Sequence, residues 1–157
     1  MPRRRPGALR AEQACHPGTT TPVQINGLSL GASLAIHRVE SRSSDDYLFT
    51  GAARHALRRY RAFLRPPGHR PLYPQYAECS CPGCSFDDVT HARDVLEFIL
   101  DRLPPRARTE LTRLLKPLDT RYLMRTLPDP FGCRRPRYSM FSRRQYWWHR
   151  RLTRFVG

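Results

Sequence analysis

Residues 86–103 read Phe86-Asp-Asp-Val-Thr-His-Ala-Arg-Asp-Val-Leu-Glu-Phe-Ile-Leu-Asp-Arg-Leu103, and their periodicity decides the fold class. At about 100° per residue, Val89, Ala92, Val95, Leu96, Ile99, Leu100 and Leu103 gather on one side. Asp87, Asp94, Glu97 and Asp101 fall on the other, which reads as a solvated face. Such a stripe, opened by Ser85 and Asp88 as a capping pair and closed by Pro104-Pro105, predicts an amphipathic helix that buries its apolar side.

Two neighbouring stretches carry the same period. Upstream, Phe49, Ala52, Ala53, Ala56, Leu57, Tyr60, Phe63 and Leu64 share a face, which predicts a helix over about residues 44–65. Ser43, Ser44, Asp45 and Asp46 are placed to accept its first free amides, and Pro66-Pro67-Gly68 stops it. Downstream, Pro105 suits a first helical turn, and Ala107, Leu111, Leu114 and Leu115 form a third stripe. Lys116-Pro117 should kink or restart that helix, with Leu118 and Tyr122 on a short fourth one ending before Pro128-Asp129-Pro130. The fold class expected is therefore mainly α: a small helical core over residues 42–131, with a cysteine-containing turn between its helices.

The flanks read differently. Residues 1–41 are expected to be a disordered or extended N-terminal arm, rich in Pro, Gly and Thr at the start. Val23-Gln-Ile-Asn-Gly-Leu-Ser-Leu30 alternates around Asn26-Gly27 as a short hairpin or extended segment would. Residues 132–157 form a basic, aromatic C-terminal segment expected to be partly helical, because Ser142 and Gln145 have capping-box spacing and Trp148, Leu152 and Phe155 share a face.

Composition narrows the function classes. The 157 residues suit one domain, and the mean hydropathy of -0.62 with no long apolar run argues against a membrane-spanning chain. Nine Gly and five Cys exclude collagen and disulfide-scaffold classes. No apolar stretch follows the first arginines as a secretory signal requires, so the expected compartment is the cytoplasm. The formal charge is +15, and Lys116 is the lone lysine among 28 basic residues. A codon bias would account for arginine in place of lysine, but it does not account for the net charge. That charge is uneven: residues 71–104 are net acidic, whereas residues 133–157 hold eight Arg and no acid. A polyanionic partner meeting the flanks and one helix face is the physical implication.

Two arginine surfaces are candidates for that contact. Arg54, Arg58, Arg61 and Arg65 recur at i, i+4, i+7 and i+11, so one helix face carries four guanidinium groups. In the C-terminal segment, Arg143, Arg144, Arg150 and Arg151 interleave with Trp147 and other aromatic residues, a mixture that neutralises phosphates and stacks on unpaired bases. The competing reading docks Trp148, Leu152 and Phe155 on the core with the arginines in water, and the two are compatible if Tyr146 and Trp147 stay outside. A basic surface with Trp also suits anionic lipid.

Cys79-Ser-Cys81-Pro-Gly-Cys84 concentrates three thiols in six residues, and His91 follows seven positions later. A Pro-Gly turn aims thiolates into one volume and a helix supplies an imidazole, which makes Cys79, Cys81, Cys84 and His91 candidate ligands of a structural zinc. Cys133, Asp87 or Asp88 compete for the fourth position, and reduced thiols, a Cys-Pro-Gly-Cys redox pair or an iron–sulfur cluster compete with the metal. No phosphate-binding glycine loop, His-Glu-x-x-His helix or Gly-x-Ser-x-Gly elbow is present. The reading is therefore a non-enzymatic protein that binds nucleic acid or a nucleoprotein. The alternative is a helical adaptor for an acidic partner protein, with a thiol redox protein a distant third.

Overall fold

The computed structural model describes residues 21–45, 48–65, 89–128 and 144–153. It is mainly helical, as the periodicity predicts. In chain order the elements are α1 (Leu30–Arg42), α2 (Ala52–Leu64), α3 (Val89–Arg102), α4 (Pro105–Arg125), β1 (Thr126–Pro128), a 3-10 turn (Arg144–Arg150) and β2 (Arg151–Thr153). Among the described residues no helix is long and apolar enough to cross a membrane.

The expected stripe of α3 is the centre of the core, with Leu96 and Ile99 fully buried and α2 packed most extensively against it. Ile36 of α1, Leu57 and Tyr60 of α2, and Leu111, Leu115 and Tyr122 of α4 complete that core. The flank of α3 departs from expectation, because Arg93 and Asp94 are also buried, each only 5% exposed. Asp94 therefore does not belong to a solvated acidic face. Burying a charge is tolerated only when it is paired and hydrogen-bonded, and both residues are.

The stretch expected to be a hairpin or extended arm contains α1. Asn26-Gly27 does turn the chain: Gly27 has φ +93° and the Leu28 amide donates to the Ile25 carbonyl. The turn feeds a helix, not a second strand. Ser29 caps it, its Oγ accepting the Ala32 amide at 3.1 Å, and the Glu110 carboxylate of α4 accepts both the Ser29 amide and its hydroxyl at 3.1 and 3.0 Å. Ile25, Leu28, Ala32 and Ile36 are core residues, so the core begins well before residue 42.

α2 begins at Ala52, not near Ser44, because Gly51 takes φ +93° and breaks the helical path. Its cap comes from α1. Buried Glu40 accepts the Gly51 amide at 2.8 Å and the Ala53 amide at 2.7 Å, the work expected of Ser43, Ser44, Asp45 and Asp46. Burial raises the Glu40 carboxyl above its usual range, and the two amide bonds offset that only in part.

α4 runs unbroken through Pro117 for 21 residues. The expected restart is absent because Leu111, Leu115, Leu118 and Tyr122 form one stripe at helical spacing, all buried, while Pro117 faces solvent. Packing of both halves outweighs one lost helical hydrogen bond. The start of α4 ties back to α3: the Arg108 guanidinium donates to the Leu100, Asp101 and Leu103 carbonyls at the end of α3.

The C-terminal segment is not a helix of the expected kind. Arg144–Arg150 is a 3-10 turn broken at Tyr146, and β2 then pairs antiparallel with β1, Leu127 opposite Leu152.

Candidate polyanion-binding surface

The arginine row of α2 exists because the opposite face is fully engaged. Ala53, Ala56, Leu57, Tyr60 and Phe63 are buried, so helical geometry leaves Arg54, Arg58 and Arg65 exposed and Arg61 half-exposed. From Arg54 to Arg65 the row spans about 16 Å at 1.5 Å per residue, a length over which a nucleic-acid backbone presents several phosphates. Among the described residues Arg54, Arg58 and Arg65 form no ion pair. Arg61 is partly committed, donating to the Asn26 carbonyl at 2.9 Å and so tying α2 to the turn before α1.

A shallow groove of about 200 Å³ lies between α2 and α4, lined by Arg61, Leu64, Arg65, Leu118 and Arg121. Arg121 is a member of this surface that sequence reasoning missed. Its position beside Arg61 and Arg65 depends on how α4 packs against α2, which no local spacing signals.

The C-terminal residues divide. Arg143 lies outside the described residues, and Arg144 is in the 3-10 turn. Trp147 is not presented to solvent as a stacking platform; it is half-buried against the core, edge-on to Tyr122 at 5.8 Å and to Trp148 at 5.7 Å. Tyr146 is buried as well. The condition that both remain outside is not met, because together with Trp148 and Phe98 they extend the aromatic core, where each edge-on pair adds about 0.5–1.5 kcal/mol beyond its buried area. Arg151 is occupied too. Its Nε donates to Thr126 Oγ1 at 3.0 Å, and a terminal nitrogen donates to the Leu123 and Thr126 carbonyls. It thus caps the C-terminus of α4, where a cation is favoured by the helix dipole. Arg150 is half-buried beside it.

Beneath this surface a buried polar network fixes how the helices meet. Arg93 of α3 holds Asp119 of α4 in a fork, Nε and a terminal nitrogen at 3.0 and 3.1 Å, and donates to Glu97 at 2.8 Å. Tyr60 of α2 donates to the same Asp119 at 2.7 Å, so one carboxylate joins three helices. Burial, then the Asp119 charge, raise the Tyr60 phenol far above its usual range and keep it protonated. Burial disfavours the Arg93 charge, but Asp119 and then Glu97 more than offset it, so its pKa is raised. The guanidinium lies 4.2 Å from the centre of the Trp148 ring, and Trp148 Nε1 donates to Asp94 at 2.7 Å, with His149 Nε2 at 2.7 Å from the same oxygen. Rigid seating of α2 and α4 is what sets the spacing of the arginines above.

Cys79, Cys81 and Cys84 lie outside the described residues. His91 is half-buried in the first turn of α3 and lines a small apolar pocket with Phe49, His55 and Val95. Among the described residues no three His, Cys, Asp or Glu side chains are grouped as metal ligands would be. No protein-family model, no curated protein and no solved structure matches the chain.

Proposed function

We propose that this protein is a non-enzymatic polyanion binder that lays α2 along the phosphate backbone of a nucleic acid, alone or within a nucleoprotein. The observation that supports it is the row Arg54, Arg58, Arg61 and Arg65 on one helix face, widened by Arg121 from the neighbouring helix. Guanidinium groups neutralise phosphates and release counterions without reading sequence, so the expected mode is sequence-tolerant. Unpaired bases can stack on the exposed guanidinium planes of the row, which favours a single strand. A structural zinc held by Cys79, Cys81, Cys84 and His91 belongs to the same reading as a brace on the α2–α3 connection, supported by their spacing.

Fluorescence anisotropy with a labelled single-stranded RNA tests the proposal. With four phosphate contacts, affinity falls about 50-fold between 50 and 200 mM salt. Replacing Arg58 and Arg65 together with Gln lowers the magnitude of the log–log slope by about 1.4. A flat salt profile, or a slope unchanged in that variant, refutes it. An acidic protein partner would survive nuclease treatment of a pull-down; a nucleic acid would not.

A further inference from the structure

We infer that the chain has a second binding site, separate from the α2 face, which takes a small organic phosphate monoester. It lies where the C-terminal end of α1 meets the α3–α4 junction, a pocket of about 390 Å³ lined by Ala35, Arg38, Val39, Arg42, Ser43, Arg102 and Pro104. Arg38 and Arg42 are one helical turn apart, so they share a face of α1, and both are exposed with no ion pair among the described residues. Arg102 comes from the last turn of α3. It donates to the Phe98 carbonyl at 3.0 Å and meets Asp45 at 3.2 Å, an ion pair nearly half-exposed on both sides. Such a pair contributes little and yields readily to a stronger anion.

The charges decide the ligand class. Three arginines against Asp45 leave two positive charges, and the carbonyls at the end of α1 remove about half of one. The excess suits a phosphate monoester, which carries -1.5 to -2 at neutral pH, better than a carboxylate or a diester with one. Guanidinium forks also match phosphate oxygens in pairs. Ser43 adds a hydroxyl: its Oγ accepts the Asp45 amide at 3.2 Å, which leaves its hydrogen to donate. Ala35, Val39 and Pro104 give the pocket an apolar side, and its volume falls in the range of small-molecule sites, larger than inorganic phosphate needs. An organic group on the phosphate fills that remainder.

Isothermal titration of the full chain with phenyl phosphate, inorganic phosphate, benzoate and methyl phenyl phosphate tests the site. Phenyl phosphate should saturate at one per chain and bind about tenfold tighter than each of the other three. Replacing Arg38 and Arg42 with Gln should weaken it by at least about tenfold while the melting temperature holds, since both side chains are exposed. Replacing Arg54 and Arg58 with Gln should leave phenyl phosphate binding unchanged while weakening RNA, which separates this site from the α2 face. Absence of saturation, equal affinity for the diester, or undiminished binding after loss of Arg38 and Arg42 each overturns the assignment.

Discussion

Replacing Arg93 with Met keeps most of the side-chain stem and removes its charge. The Arg93 side chain is 6% exposed and its three polar contacts all go to carboxylates, Asp119 twice and Glu97 once. After the substitution Glu97 and Asp119 are left without their shared cation. Removing one partner of a buried ion pair costs about 3–5 kcal/mol. Here Glu97 and Asp119 retain 15% and 20% exposure, so water relieves part of the loss and the lower end, about 3 kcal/mol, is expected. For a chain of this length that lowers the melting temperature by about 6–12 °C. Arg93→Lys keeps the charge but loses the fork and the guanidinium's contact with the Trp148 ring, so it should fall between wild type and Met. Thermal and urea unfolding followed by circular dichroism give the numbers, and a cycle with Asp119→Asn isolates the coupling, expected at about 2 kcal/mol. A loss for Arg93→Met below about 1 kcal/mol, or strict additivity with Asp119→Asn, would show that the network is solvated and does not fasten the helices.

Glu40→Ala leaves the Gly51 and Ala53 amides without their acceptor and should cost about 1–3 kcal/mol in urea unfolding, against near-neutrality if water replaces the carboxylate. Because the folded carboxyl is raised above its ordinary value of 4.5, the folded state binds its proton more tightly. The Glu40 contribution is therefore fullest below pH 4.5 and declines as pH rises through the folded value. Stability relative to Glu40→Gln should fall over that window, and a parallel pair of pH profiles would contradict it. Pro117→Ala restores an amide inside α4 at a solvent-facing position and should raise stability by about 1–3 kcal/mol; a drop in melting temperature would mean that the ring itself is needed. Elemental analysis should find one zinc per chain, lost in Cys81→Ser with Cys84→Ser, and metal-free protein whose melting ignores chelators would eliminate the brace.

The parts of the fold that are visible in the sequence are those whose partner is water on one side and core on the other. The α3 stripe is such a case, as is the arginine row of α2, where periodicity alone places each residue correctly. The parts that are hidden depend on a distant residue. Arg93 and Asp94 look like surface charges until Asp119 and Trp148 are brought beside them, and no local pattern signals a pair 54 positions apart. α1 is masked by its own weak amphipathicity: Leu30 is 59% exposed while Ser33 and Glu40 are buried, so the apolar count points the wrong way. Pro117 misleads for the opposite reason: the local helix-breaking rule points to a kink or restart, while the buried stripe continues past it. In the C-terminal segment Trp147 reads as a contact residue because its alternative use, completing an aromatic cluster with Tyr60, Phe63 and Tyr122, exists only after the helices assemble.

Trp148 also sets a schedule for the nascent chain. Asp94 and Arg93 leave the ribosome 54 and 55 residues before the ring that covers them, a delay of about 3–11 s at ordinary synthesis rates. During that interval α2, α3 and α4 can dock only with an open slot over Tyr122 and a buried-in-waiting carboxylate still held by water. The helices that carry the arginine face are thus made early but locked late, and polyanion nearby during synthesis would meet that face before its spacing is fixed.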